Sequence, residues 1–370
     1  MKLIHCADLH IGKTFSSLPI GARDIMQRSL VDNFVSLMRF AHDNDVDVVM
    51  ISGDFFDRAK VAVSYKKEVL GIVASFPHVS VVYLKGNHDA NIEFEDELVV
   101  PSNLLIVSND KDDDWTYFRY EEEGVTIAAI DLNSQFDASF FERLVLNKDD
   151  FNIVMLHGMM RAISETGHFE RVVDINRLRG KNIDYLALGD IHIPDYEPRK
   201  LDNRGHYAYS GSLTGTGFDE IGERGFFLLE AEQSKLTRSF ARMTKRQFRI
   251  IDVDITHCDT HSKIHSQIDF VLDKLRRNDF VNDLIRINLV GKYEATTIKD
   301  IENLVLKLNE EFFHAEVKDS STLDISSINC HEMSLKSKFA ALVLRDATLT
   351  KEEQDKILEF GIKALQREAL

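Results

Sequence analysis

Cysteine is scarce in this chain: three in 370 residues, at positions 6, 258 and 330, odd in number and without paired spacing. That excludes a disulfide framework and a thiolate metal site, and it fits a reducing compartment. No apolar run is long enough to span a bilayer, and the opening "MKLIHCA" lacks a basic region followed by an apolar stretch. A cytoplasmic protein without membrane association is therefore expected. Positive charge is also in short supply, with 45 Lys and Arg against 61 Asp and Glu, a net charge of −16. A protein that grips nucleic acid alone carries a basic footprint. A polyanionic substrate would need bound metal ions or a partner to supply positive potential here. The acidic runs "DKDDD" (110–114) and "EEE" (121–123) read as solvated loop faces. Internal repeats and low-complexity tracts are absent too.

What is present is ample core material, with 44% hydrophobic and 29% charged residues over a length that exceeds one ordinary core. The first half alternates Val- and Ile-rich strands ("KLIHCA", "VDVVMISGD", "VSVVYLKGNHD") with helical patterns ("RDIMQRSLVDNFVSLMRFAHD", "SYKKEVLGIVASF"). This predicts an α/β domain with buried sheets. From about 102 strands become denser, as a second sheet packed on the first would require. Composition shifts near 235–250. Beyond it, "FRIIDVDI" to "AEVKDSS" reads as a compact β-α-β-α-β unit, and residues from about 333 read as two short helices. Thr350 and Glu353 have the spacing of a capping box. Leu335, Phe339, Leu342 and Val343 form one apolar stripe, and Ile357, Leu358, Ile362 and Leu365 form another.

Polar residues collect at the ends of the strands. "DLHIG" supplies Asp8 and His10, which strand alternation would point to one face. "SGDFFD" supplies Asp54 and Asp57, "KGNHD" supplies Asn87 and His88, "MLHG" supplies His157, and "LGDIH" supplies Asp190 and His192. Taken singly, each has a plain explanation as a cap, a turn former or a core histidine. Together, in this order and at strand carboxyl ends where α/β folds place ligands, they read as one metal site. Carboxylate, amide and imidazole donors without thiolate suit Mn, Fe, Zn or Mg. His5, inside the first strand, is expected to be structural. His168 and His206 could approach the cleft, although nothing in their spacing requires it. "PRKLDNRGHY" (198–207) and "MTKRQFR" (243–249) are the best basic stretches for phosphate contact, against plainer readings as a turn and a linker.

The series Asp-x-His, Gly-Asp-x-x-Asp, Gly-Asn-His-Asp, His-Gly and Gly-x-x-His resembles the calcineurin-like metallophosphoesterase superfamily. "HCADLHIGK", "SGDFFDRA", "LKGNHD", "LGDIHIP" and "YAYSGSL" are most similar to its SbcD-like DNA repair nucleases. The resemblance implies a four-layer α-β-β-α sandwich over 1–235, a small α/β capping domain over 247–328, and a C-terminal helical ATPase-docking segment over 333–370. It implies one metal held by Asp8, His10 and His192, and a second by Asn87, His157 and Asp190, with Asp54 bridging. A metal-bridging hydroxide would attack phosphorus. His88 would stabilise the transition state or protonate the leaving oxygen, with Asp57 orienting it. The family normally has His where this chain has Asp190; a harder, anionic ligand should bias the site toward Mn²⁺ or Mg²⁺. The expected cofactors are two divalent ions, Mn²⁺ first, with Mg²⁺ or Fe²⁺ as alternatives.

The implied function is a metal-dependent DNA exonuclease or endonuclease, typically dimeric. It would act with an SMC-like (SbcC-like) coiled-coil ATPase in break repair or defence. Such a partner, docked on the C-terminal helices, would supply the basic surface that this chain lacks; alternatively, both helices fold back on the capping domain. Two other functions stand against this one. A stand-alone phosphoesterase acting on nucleotides or phosphoproteins suits the acidic charge. A scaffold that has lost its chemistry is disfavoured by His88 and the nearly complete ligand set.

Overall fold

The structure, a computed structural model, describes every residue except 96, 108–114, 133–138, 161–171, 233–234, 244, 277–279, 295, 325–333 and 367–370. The "DKDDD" run, His168 and Cys330 lie outside the described residues. The chain divides into two compact units, Met1–Gln247 and Phe248–Leu370.

The first unit contains β1 (Lys2–Cys6), α1 (Ile20–Asp43), β2 (Val48–Ser52), α2 (Val63–Ala74), β3 (Ser80–Leu84), β4 (Leu104–Ile106), β5 (Thr116–Tyr120) and β6 (Val125–Ala129). It continues with β7 (Phe151–His157), β8 (Tyr185–Gly189), β9 (Arg199–Lys200), β10 (His206–Tyr209), β11 (Gly225–Glu232) and β12 (Lys235–Arg242). One six-stranded sheet has the order β12-β11-β1-β2-β3-β4, and the other β9-β10-β8-β7-β6-β5. In the first, β1 to β4 run parallel; in the second, β6, β7, β8 and β10 do. Parallel strands are buried on both faces, which is why "VVMIS" and "YLALG" read as unbroken apolar runs.

The two sheets meet face to face over Leu3, Met50 and Val82 from one and Ile127, Met155 and Ala187 from the other. Outside the first sheet, Phe34 of α1 packs on Phe55 and Phe40 on Phe226. Outside the second, Val154 and Leu186 share a core with Phe140, Phe141 and Leu178 from two one-turn helices. The four layers run helix, sheet, sheet, helix. Because parallel strands share direction, the carboxyl ends of β1, β2, β3, β7 and β8 all reach one rim.

The second unit contains β13 (Phe248–Asp254), α3 (His261–Arg276), β14 (Leu284–Val290), α4 (Ile301–Glu311), β15 (His314–Asp319), α5 (Leu335–Arg345) and α6 (Lys351–Gln366). The three strands of its main sheet are parallel and joined through helices, and Lys292–Tyr293 and Thr322–Leu323 pair as a small second sheet. The division after Gln247 lies within the stretch 235–250 where composition shifts, and β12, paired with β11 along its whole length, belongs to the first unit. The terminal helices share the unit's core through Ala340, Val343, Leu358 and Ile362. Their apolar stripes are split: Val343 is buried, whereas Leu335 and Leu342 are about 70% exposed (69% and 73%). The capping box forms, with the Thr350 N–H donating to Glu353 Oε2 (2.8 Å) and the Glu353 N–H to Thr350 Oγ1 (3.3 Å). Among the described residues no helix is long and apolar enough to cross a membrane.

Candidate metal centre

All nine residues singled out by the strand-end pattern lie on the shared rim of the first unit, but not all by the expected route. β1 ends at Cys6, and Asp8 and His10 lie beyond it with φ of +54° and +45°. Strand alternation therefore does not bring them together. They converge because segment 8–11 runs beside 53–56: the N–H groups of Asp8, His10 and Ile11 donate to the carbonyls of Gly53, Asp54 and Phe55, each at 3.0 Å. Asp54 (φ +51°) and Asp190 (+101°) are also left-handed. Each such conformation costs a non-glycine residue on the order of 1–3 kcal/mol, and such strain collects at functional sites.

Two glycines allow the close approach. A Cβ on Gly53, whose φ is +96°, would lie 1.9 Å from His157 Nδ1, and one on Gly86 would lie 2.0 Å from Asp54 Oδ1. Any side chain at either position would displace a candidate ligand.

Three overlapping groups bring their donor atoms within 4.8 Å of one another: Asp8, His10 and His192; Asp8, Asp54 and His157; and His10, Asp57 and His88. Asp54 sits between the first two. Its Oδ1 accepts from the His88 N–H (2.9 Å), while its Oδ2 lies 3.7 Å from His10 Nε2 and 3.6 Å from His157 Nε2. Asn87 Oδ1 lies 2.9 Å from His157 Nε2, and Asp190 Oδ1 lies 3.7 Å from the same nitrogen. The Asp190 N–H is shared by both Asp8 carboxylate oxygens (3.1 and 3.2 Å).

The donor set calls for a cation. His157 Nδ1–H donates to the Ser52 carbonyl (2.9 Å), which leaves the Nε2 lone pair facing Asn87 Oδ1. His10 and His192 bring their Nε2 atoms to 3.1 Å of each other, although the Nδ1 of each lies beside a carboxylate. Burial, then the negative charge of Asp54, pushes the Asp8 carboxyl well above its ordinary range. Burial lowers His10 to about 4. Lone pairs facing lone pairs and two buried carboxylates in mutual repulsion are relieved by divalent metal. The residues present fit such a group.

His88 and Asp57 meet differently from the expected pairing. His88 Nδ1–H donates to the Asp57 main-chain carbonyl (2.9 Å), whereas the Asp57 carboxylate lies 3.5 Å from His10 Nδ1 and 3.2 Å from the Arg58 guanidinium. Asp57 thus orients His88 through its backbone, and its side chain faces a ligand. Asp89, the last residue of "GNHD", is buried and accepts from the Phe56 and Gly86 N–H groups (3.0 and 2.7 Å) and the Tyr83 hydroxyl (2.5 Å). It pins the turn that presents Asn87 and His88.

Two residues escaped the sequence reading. Buried Glu220 accepts from His192 Nδ1 at 2.6 Å. Burial alone would raise its carboxyl; the bonds from His192 and Thr216 outweigh it and lower it to about 2. Fully buried Arg224 donates to the His192 carbonyl. Both lie about thirty residues beyond His192 in a loop without periodicity, and only proximity to "YAYSGSL" could have flagged them. His5 is structural: its Nε2–H donates to the Leu188 carbonyl (3.2 Å) and its Nδ1 accepts from the Tyr185 hydroxyl (2.9 Å). Burial lowers it to about 3. His206 opens β10, at the end opposite the cluster, and Arg199 and Arg204 of the basic stretch pair with Asp195 and Asp184.

The family model for the calcineurin-like phosphoesterases matches residues 1–194, which carry every candidate ligand. The chain belongs to that family. It is accordingly a metal-dependent phosphoesterase, a hydrolase of phosphoesters. It is similar to an uncharacterized metallophosphoesterase, YhaO, of Bacillus subtilis (strain 168), at 24% identity over 298 residues, 75% of this chain and 69% of that one. Among solved structures it is similar to a dimetal phosphatase from Danio rerio (TM-score 0.45, 10% identity, 66% of this chain and 98% of that one). It is also similar to GAP50, the anchor in the inner membrane complex of Plasmodium (TM-score 0.42, 13% identity, 66% and 85%). Likeness at these levels carries nothing about substrate.

Proposed function

We propose that this phosphoesterase is a DNA nuclease, exonucleolytic or endonucleolytic, working through two divalent ions, with Mn²⁺ as the first choice. The observation that carries the dinuclear reading is Asp54 Oδ2, nearly equidistant from His10 and His157, at the junction of two donor groups. Asp8, His10 and His192 would hold one ion; Asn87, His157 and Asp190 would hold the other; Asp54 would touch both. Ions bound there supply Lewis-acid polarisation of the phosphoryl oxygens and a more acidic water. Left-handed backbone at Asp8, His10, Asp54 and Asp190 fixes three carboxylates and one imidazole before substrate arrives. His88, with Nδ1–H committed to the Asp57 carbonyl, delivers a proton from Nε2 to the leaving oxygen.

The nuclease reading is supported by the SbcD-like motifs, and the partner by the second unit. Apolar Leu335, Leu342 and Phe360 stand exposed on the terminal helices, which suits an SMC-like ATPase docking there. Such a partner, acting in break repair or defence with a dimeric, cytoplasmic nuclease, would offset the charge of −16. That same charge favours the second reading, a stand-alone phosphoesterase for nucleotides or phosphoproteins. The test is Mn²⁺-dependent cleavage of linear duplex and single-stranded DNA, alone and with the ATPase, against hydrolysis of a small phosphodiester. The expected result is DNA cleavage that falls by about 10²–10⁴-fold in His88→Ala with metal content unchanged. Rapid hydrolysis of the small ester with no DNA cleavage under either condition would overturn the nuclease reading and favour the second.

A further inference from the structure

We infer that Glu220 is a positioning residue of the metal centre, fixing the tautomer and ring plane of His192 and so setting the metal affinity of the group formed by Asp8, His10 and His192. The inference rests on the metal-dependent reading of the site and goes beyond it in naming what tunes one half.

Glu220 is 7% exposed, and its carboxylate is fully engaged. Oε1 accepts from His192 Nδ1 (2.6 Å) and the Thr216 hydroxyl (2.6 Å), and Oε2 from the Thr216 N–H (2.9 Å) and the Ser212 hydroxyl (3.5 Å). A buried carboxylate accepts only, so His192 carries its proton on Nδ1 and its lone pair on Nε2, the atom that meets His10. The main chain that carries the ring is held as well, since the His192 carbonyl accepts from Arg224 and from the Ser212 N–H (3.0 Å). Ser212 in turn bridges to Ala7, one residue before Asp8. One network thus ties His192 to the segment that carries its two companions.

The other imidazoles lack this arrangement. His157 Nδ1 donates to a neutral main-chain carbonyl with Asp8 Oδ1 at 3.9 Å, and His10 Nδ1 lies 3.5 Å from Asp57 Oδ1, both longer than the 2.6 Å of Glu220 to His192. A carboxylate behind a histidine raises the basicity of the ligating nitrogen, and loss of such a support typically costs about 10–100-fold in metal affinity.

The test is calorimetric titration of metal-free protein with Mn²⁺, paired with ¹⁵N-histidine NMR of the same samples. The wild type should bind two equivalents and show His192 as a single Nδ1–H tautomer. Glu220→Gln, which keeps an acceptor oxygen and the volume, should weaken one equivalent by about tenfold and leave the other unchanged; Glu220→Ala should weaken it by about 100-fold. A purely structural role would lower the melting temperature in chelator without moving either readout, and that result would overturn the inference. So would two equivalents at wild-type affinity in Glu220→Gln with the tautomer retained. A wild type binding fewer than two equivalents would overturn the dinuclear reading itself, and the inference with it.

Discussion

The two halves of the metal centre are held in different ways. Around His192 the support comes from side chains: Glu220 behind the ring, Arg224 on the carbonyl, Thr216 behind Glu220. Around His157 it comes from main chain brought unusually close: the Ser52 carbonyl on Nδ1, and Gly53 packed where no Cβ fits. Asp190, proposed with Asn87 as a further donor of that half, is 23% exposed at its side chain and is itself left-handed. One half can therefore be tuned by side-chain replacement, whereas the other responds to backbone space. In the proposed dinuclear reading Asp54 serves both, its Oδ2 lying 3.7 Å from His10 Nε2 and 3.6 Å from His157 Nε2.

That difference orders the consequences of breaking the site. Asp54→Asn removes the shared charge and should cost the most, on the order of a thousandfold or more in kcat/KM, with metal lost from both halves. Steady-state kinetics and metal analysis of the purified variant check this. Gly53→Ala should act on the His157 half alone. Its Cβ drives the imidazole away, a displacement of the size that costs about 100-fold in rate, while metal bound by Asp8, His10 and His192 is retained. Retention of both metals and of full activity would show that the main chain relaxes and that the contrast is false.

The smallest effect is on stability. In metal-free protein, burial and the charge of Asp54 raise Asp8 above its ordinary 3.8. The folded state then holds a proton that the unfolded chain releases, so stability falls as pH rises from about 4 through the raised pKa. His5 pulls the other way: lowered to about 3, it removes stability as pH falls below 6.5. It does so with or without metal, so the gain in melting temperature on adding Mn²⁺ reports on the ligand set and not on His5. That gain should be larger at pH 8 than at pH 5.

All nine strand-end residues were legible because each ends or follows an apolar run, and parallel strands carry such ends to one rim. The means of convergence were not. Asp8 and His10 meet through a left-handed segment paired with 53–56, which no alternation pattern encodes. The Asp57 carboxylate lies 3.5 Å from His10 Nδ1, whereas His88 Nδ1 is taken by the Asp57 main-chain carbonyl. Glu220 and Arg224 were invisible because buried acids and bases in an irregular loop look like any surface charges until the fold brings them beside His192. The composition shift over 235–250 brackets the division after Gln247, and the pairing of β12 with β11 places the strand inside that stretch in the first unit.

The central claim is that two metal ions share Asp54. Electron paramagnetic resonance of the protein loaded with two equivalents of Mn²⁺ tests it most directly. The account predicts the multiline signal of an exchange-coupled pair in the wild type and its loss in Asp54→Asn. A spectrum of isolated Mn²⁺ in the fully loaded wild type would contradict it.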